Sequence, residues 1–143
     1  MPEAEINLSE RFGLHRDYLT QDWAVTNANA RLLPVLLEAL ATSSLSDDER
    51  YALMELTIAS MDEALQINVH EKDNKKYLSL LASLLCERPG LYASAIAYWA
   101  EPVILEMDEE QQFLVSGYMA TLWRQILPNL EANHAIPPLP AAP

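Results

Sequence analysis

Two pairs of side chains in this chain have residue types and spacings that could support chemistry. Glu131 and His134 match the Glu-x-x-His pair of helical di-iron proteins. Those sites need two such pairs and two further inward glutamates, whereas the sequence contains one pair. Glu55 and Asp62 stand two helical turns apart on a similar face, so they could form an acid/base or metal-binding pair if that face is buried. The sequence favours the alternative, in which both are exposed and only solvate the helix.

Other signatures of catalysis or metal binding are missing from the sequence. His15, His70 and His134 lie in separate segments, and no HExxH pair, Gly-rich phosphate loop or nucleophile elbow occurs. Cys86 is the only cysteine, which excludes an intramolecular disulfide, and its apolar neighbours predict a buried thiol. We therefore predict a non-enzymatic protein with no catalytic residues, no metal and no cofactor, in a reducing compartment that is most simply the cytoplasm.

The net charge of the chain restricts its partners. The sequence has 21 Asp and Glu against 9 Lys and Arg, a formal net charge of −12, yet 50% of its residues are hydrophobic. Such a chain is expected to fold around an apolar core with a surface that repels polyanions and attracts basic proteins. Nucleic acid is disfavoured because phosphate binding needs a basic stripe. A membrane partner is not expected, since no apolar run approaches the ~18 residues of a membrane span.

An acidic stretch without cations is the best candidate for partner binding. No Lys or Arg occurs between Arg88 and Arg124, where five acids lie. These acids are Glu101, Glu106, Asp108, Glu109 and Glu110. Their uncompensated charge could steer a basic protein toward this stretch. The alternative is that Asp108 and its acidic neighbours only begin a helix, where negative charge suits the helix dipole.

Two further pairs of residues could belong to the same binding site. Asp47 and Asp48 begin another predicted helix and would extend the acidic patch if the two helix starts lie side by side. Tyr98 and Trp99 place large rings beside the acidic stretch. Aromatic anchors rimmed by charge are typical of the energetic centres of interfaces.

Helical periodicity dominates the chain and predicts an all-α fold without a sheet. We expect a single compact bundle of about five to seven helices, mostly antiparallel neighbours. The clearest helix covers 46–68, because Ser46 and Glu49 form a capping box ahead of an apolar stripe. Further helices are predicted over 74–87, 90–101 and 108–127. Pro102 and Pro128 are expected to end the last two.

The ends of the chain differ from its centre in composition. Residues 1–16 are expected to dock on the core with at most a short helix, and the helical segment 17–41 is expected to break near Arg31, with Pro34 in the first turn of the next helix. We predict a single helical domain over 1–130. The proline-rich tail, 131–143, is predicted to be flexible or to lie on the domain, and its Pro-Pro-Leu-Pro motif resembles a ligand of WW- or SH3-type grooves.

Three classes of function are compatible with these features. The best match is an immunity- or antitoxin-like inhibitor that neutralises a basic, toxin-like protein by charge complementarity. An adaptor or assembly protein, homodimeric through an apolar helix face, is the alternative. The third class is a metal-binding or catalytic helical protein that uses buried carboxylates.

Overall fold

The structure of the protein, a computed structural model, describes residues 2–14, 23–108 and 113–132, and most of these residues are helical. These ranges contain seven α-helices, a short 3-10 turn at Ala30–Leu32 and no strand, which confirms the predicted all-α fold. The helices are α1 (Pro2–Phe12), α2 (Trp23–Asn27), α3 (Leu33–Thr42), α4 (Asp47–Ile67), α5 (Asn74–Glu87), α6 (Pro89–Ile104) and α7 (Ser116–Ala132). His15, His134 and the proline-rich motif lie outside the described residues, so the predictions made for them stay predictions.

The chain divides into two compact units. Unit 1 is Met1–Leu81 and unit 2 is Ala82–Pro143, so the division falls within α5. The prediction of a single domain over 1–130 stays a prediction.

Unit 1 is built on α4, the longest helix described. Ser46 Oγ accepts from Glu49 N at 3.1 Å, and Ser46 N donates to Glu49 Oε1 at 3.1 Å, which confirms the predicted capping box. The helix ends at Asn68, whose φ of 54° is a left-handed conformation that Asn tolerates. Helices α1, α2 and α3 all pack on α4 and bury most of its surface.

A buried tryptophan joins α2 to α1 inside unit 1. Trp23 is almost fully buried, and its Nε1 donates to Ser9 Oγ at 2.9 Å. Leu8, one residue before Ser9, is also buried. Helix α1 is therefore held to the rest of unit 1 by an apolar contact surface and by a buried hydrogen bond.

The helical segment is interrupted between α2 and α3, as Pro34 predicts. The first helix ends at Asn27, which is earlier than the predicted end near Arg31. Asn29 Oδ1 accepts from Arg31 N at 3.0 Å and starts the 3-10 turn. The backbone of this turn is bound to α4, because Ala30 N donates to Glu63 Oε2 at 2.6 Å and Asn29 N to Ser60 Oγ at 3.0 Å. The break was therefore predictable from Pro34, whereas its position depends on tertiary hydrogen bonds.

Unit 2 consists mainly of α6 packed against α7. Both helices differ from the prediction, because α6 continues through Pro102 and α7 continues through Pro128. A proline removes one backbone hydrogen bond. Pro102 recovers part of that loss by burying its ring, whereas Pro128 is exposed.

Two further predictions are wrong, namely the start of α7 and the burial of Cys86. Helix α7 begins at Ser116 rather than at Asp108. Cys86 is exposed rather than buried, because Leu84 and Leu85 take the buried side of α5 and leave Cys86 on the opposite side.

No helix among the described residues combines the length and the apolar character that a membrane crossing requires.

Candidate functional site

The residues predicted to bind a partner are divided between the two units. Asp47 and Asp48 belong to unit 1. The others described belong to unit 2 and are Tyr98, Trp99, Glu101, Glu106 and Asp108. Glu109 and Glu110 lie outside the described residues. That all these acids form one patch stays a prediction.

In unit 1, the acids at the start of α4 serve the helix itself. Asp47, Asp48 and Glu49 occupy its first turn, where negative charge is favourable. The backbone N–H of Ser46 is the main reason that the pKa of Glu49 is lowered, and the Ser46 side chain lowers it further. A cleft of about 330 Å³ adjoins this turn and is lined by Glu3, Ala4, Asn7, Ser46, Asp48 and Glu49. Helix stabilisation accounts for these acids, and the cleft adds an anionic concavity between α1 and α4.

In unit 2, the described acids lie outside the first turns of α6 and α7. Glu101 lies in the last turn of α6, Glu106 and Asp108 follow that helix, and the first turn of α7 contains no acid. The prediction that α7 begins at Asp108 is therefore wrong. A carboxylate at the C-terminal end of a helix faces the negative end of the dipole, which is unfavourable. Local helix stability does not account for Glu101.

Glu106 also occupies a backbone position that suits another residue type. Its φ is 53°, and it follows α6 in a Schellman motif, in which Met107 N donates to Pro102 O at 2.9 Å and Glu106 N to Val103 O at 3.1 Å. Glycine is usual at this position because a side chain there is strained by about 1–2 kcal/mol. The Glu106 side chain is exposed and lies at a site that backbone geometry disfavours for it.

The aromatic residues of unit 2 are partly buried and partly at the surface. Trp99 is 3% exposed, whereas Tyr98 is 53% exposed. Their ring centroids are 5.6 Å apart, and the Phe113 ring lies 4.5 Å from Trp99 and 6.3 Å from Tyr98. Trp99 therefore supports the two neighbouring rings from inside unit 2, and Tyr98 is the member of the predicted pair that a partner can reach.

Two further exposed apolar side chains follow Phe113 closely in the sequence, and sequence reasoning missed both. Leu114 directly follows Phe113 and Tyr118 comes one turn later, and each is 52% exposed. We define the α6–α7 surface as the following residues: Tyr98, Phe113, Leu114, Tyr118, Glu101, Glu106 and Asp108.

The carboxylates of the α6–α7 surface lack compensating cations among the residues described. Within 82–108 and 113–132 the only Lys or Arg residues are Arg88 and Arg124. Both cations flank the stretch that contains Glu101, Glu106 and Asp108, and neither lies within it. The surface therefore combines uncompensated negative charge with exposed aromatic and aliphatic area.

The carboxylates of α4 in unit 1 form a different arrangement. The predicted exposure of Asp62 is wrong, since it is 5% exposed and its Oδ2 accepts from Gln66 Nε2 at 2.8 Å. Glu55 is half-buried and lies about 10 Å from Asp62 along the helix, which is too far for the two to share a proton. Among the described residues, no three His, Cys, Asp or Glu side chains are grouped so that they could hold a metal ion.

Burial changes the titration of Glu55. Desolvation raises the pKa of its carboxyl above 4.5, and the negative charge of Glu5 on α1 raises it further. Burial likewise raises the pKa of Glu5. Both shifts mean that the ionised carboxyls oppose the packing of α1 on α4 at neutral pH.

Replacing this carboxyl with a neutral amide should stabilise the protein. A raised folded-state pKa means that Glu55 destabilises the fold above that pKa, and that the penalty disappears as pH falls below 4.5. Glu55→Gln should therefore raise the thermal unfolding midpoint at pH 7 but not at acidic pH, as measured by circular dichroism. Glu38→Gln, the same change at an exposed position on α3, should leave the midpoint unchanged at both pH values. A lower midpoint for Glu55→Gln at pH 7 would contradict this assignment.

Comparison with known proteins yields no match to the chain among protein-family models, curated proteins or solved structures.

Proposed function

We propose that this protein is a non-enzymatic, acidic protein-binding domain that captures a basic protein. Its closest functional analogy is a bacterial immunity protein or antitoxin-like inhibitor that neutralises a toxin-like partner in the cytoplasm. One observation carries the proposal: the α6–α7 surface combines carboxylates from a stretch without cations with exposed rings.

The positions of Glu101 and Glu106 support a role for these acids other than stabilising the fold. Glu101 lies at the end of α6 where a cation would stabilise the helix, and Glu106 lies where glycine would relieve strain. Side chains held at a local cost in stability are concentrated at functional sites. Binding of a cationic partner is a function that would use both carboxylates.

The α6–α7 surface would act in two steps. At long range, its negative potential would raise the rate of encounter with a basic surface, an effect that salt weakens because the Debye length is about 10 Å at 0.1 M. At contact, the partner would bury the apolar side chains of Tyr98, Leu114 and Tyr118. This burial is needed because ion pairs at an exposed surface add little binding free energy by themselves. On a nuclease, the carboxylates would occupy the cationic groove that otherwise receives phosphates, and so would block it.

Substitution of Glu106 by glycine separates binding from stability. Glu106→Gly should raise the free energy of unfolding by about 1 kcal/mol, because it removes the strain of a left-handed conformation. The same variant should bind an oligoarginine peptide more weakly than the natural sequence does. Urea unfolding and isothermal titration calorimetry measure the two effects.

A matched control for this variant exists in unit 1. Asn68 has the same left-handed conformation at the end of α4, and its side chain accepts from Asn74 Nδ2 at 3.2 Å. Asn68→Gly should leave peptide affinity unchanged. If Glu106→Gly kept the natural affinity as well, Glu106 would have no part in binding.

Homodimerisation through an apolar face is the second candidate function. The exposure of Tyr98, Leu114 and Tyr118 favours it, whereas repulsion between two copies of the acidic rim opposes it. Self-association that persists at high salt in light scattering would support the homodimer over the capture of a basic partner.

A further inference from the structure

We propose that the α6–α7 surface recognises arginine side chains of its partner specifically, rather than positive charge in general. This inference rests on the proposed function and identifies the chemistry of the partner's contact residues. Arginine and lysine carry the same charge, but only the guanidinium group is planar, stacks on aromatic faces and presents a rigid fork of donors. The surface offers complementary groups for each of these properties.

The exposed rings provide the stacking faces. The Tyr98 and Phe113 rings are inclined to each other by 30°, with centroids 6.3 Å apart, and both rest against the buried Trp99. Because Trp99 fixes the two rings, they are ordered before a partner arrives, which lowers the entropy that binding must remove. Tyr98 is more than half exposed, so a guanidinium group can lie over its outer face.

The acceptors beside Tyr98 suit the donors of a guanidinium group. Glu101 comes three residues after Tyr98 on α6, so the two side chains are neighbours on the helix surface. A guanidinium group stacked on Tyr98 is therefore placed to donate to the Glu101 carboxylate, the pairing in which arginine forms two parallel hydrogen bonds.

A lysine side chain matches only part of this arrangement. A lysine ammonium group could neutralise Glu101, but it has no flat face to stack on Tyr98 while it does so. The arrangement of ring and carboxylate therefore favours arginine.

Two peptides of equal length and charge test this inference on the full chain. An oligoarginine peptide should bind about tenfold more tightly than an oligolysine peptide at low salt, measured by calorimetry. Tyr98→Leu should remove this difference by weakening oligoarginine binding, and should leave oligolysine binding unchanged. Tyr98→Phe keeps the ring and should keep the preference, which makes it the matched control.

The possible results distinguish this inference from the proposed function. Equal affinities of the two peptides for the natural sequence would overturn arginine recognition, while the capture of a basic partner would stand. A preference that survives Tyr98→Leu would overturn the assignment to this surface. Failure of both peptides to bind would overturn the proposed function and this inference together. Circular dichroism of both variants checks that neither substitution unfolds the protein.

Discussion

Reversing the three described acids of the α6–α7 surface should slow the association of an oligoarginine peptide by at least about tenfold at low salt. The variant carries Glu101→Lys, Glu106→Lys and Asp108→Lys. The effect is expected to be large because no Lys or Arg lies between Arg88 and Arg124 to offset these charges. Stopped-flow fluorescence on a labelled peptide measures the rate constant. At about 0.5 M salt the difference should nearly vanish.

A control with the same change in net charge separates local steering from global attraction. Glu38, Glu71 and Glu131 are exposed and do not belong to the α6–α7 surface. Their joint reversal to lysine should slow association much less than the first variant does. Equal slowing by both triple variants would mean that net charge alone attracts the peptide, and the proposed surface would lose its support.

Trp23→Ala should lower the free energy of unfolding of unit 1 by about 3–5 kcal/mol. Trp23 is almost fully buried between α1 and α4, so its removal leaves a large cavity. It also leaves the Ser9 hydroxyl without the indole donor that now lies 2.9 Å from it. Urea denaturation followed by circular dichroism measures the loss.

A control on the same helix shows whether the loss depends on burial. Val25 is mostly exposed, so Val25→Ala should change stability by less than about 0.5 kcal/mol. Loss of less than about 1 kcal/mol for Trp23→Ala would contradict its place in the core. The Trp23→Ala variant also tests the predicted single domain over 1–130, because Trp99 and Trp123 remain as fluorescent probes of unit 2. A single transition in fluorescence and circular dichroism indicates one domain, and two transitions indicate two.

The parts of the fold that depend on local chemistry were predictable from the sequence. The capping box of Ser46 and Glu49 and the apolar stripe behind it predicted α4 to within one residue at each end. Pro34 likewise predicted a break, since proline is well suited to the first turn of a helix. These features are determined by residues within one or two turns of each other.

The parts that depend on tertiary packing were not predictable in the same way. Pro102 and Pro128 predict helix ends from local geometry, whereas α6 and α7, which pack against each other, continue through both prolines. Asp62 was expected to be exposed because it is charged, but helices on several sides of α4 bury it.

The candidate site was predictable in composition but not in conformation. The acids and the neighbouring Tyr98 could be read from the sequence as a region without cations. The left-handed conformation of Glu106 and the burial of Trp99 require the structure, because they follow from how α6 ends and from how it packs on α7. The exposure of Leu114 also requires the structure, because Leu114 precedes α7, which begins at Ser116.

Nuclear magnetic resonance titration of the isotope-labelled protein with oligoarginine tests the central claim most directly, because it locates the bound cations residue by residue. We predict saturable amide shift changes that are largest at Tyr98, Glu101, Glu106 and Tyr118, and that disappear at about 0.5 M salt. Shift changes that are largest elsewhere in the chain, or that fail to saturate, would contradict the assignment of the α6–α7 surface as the site that captures a basic partner.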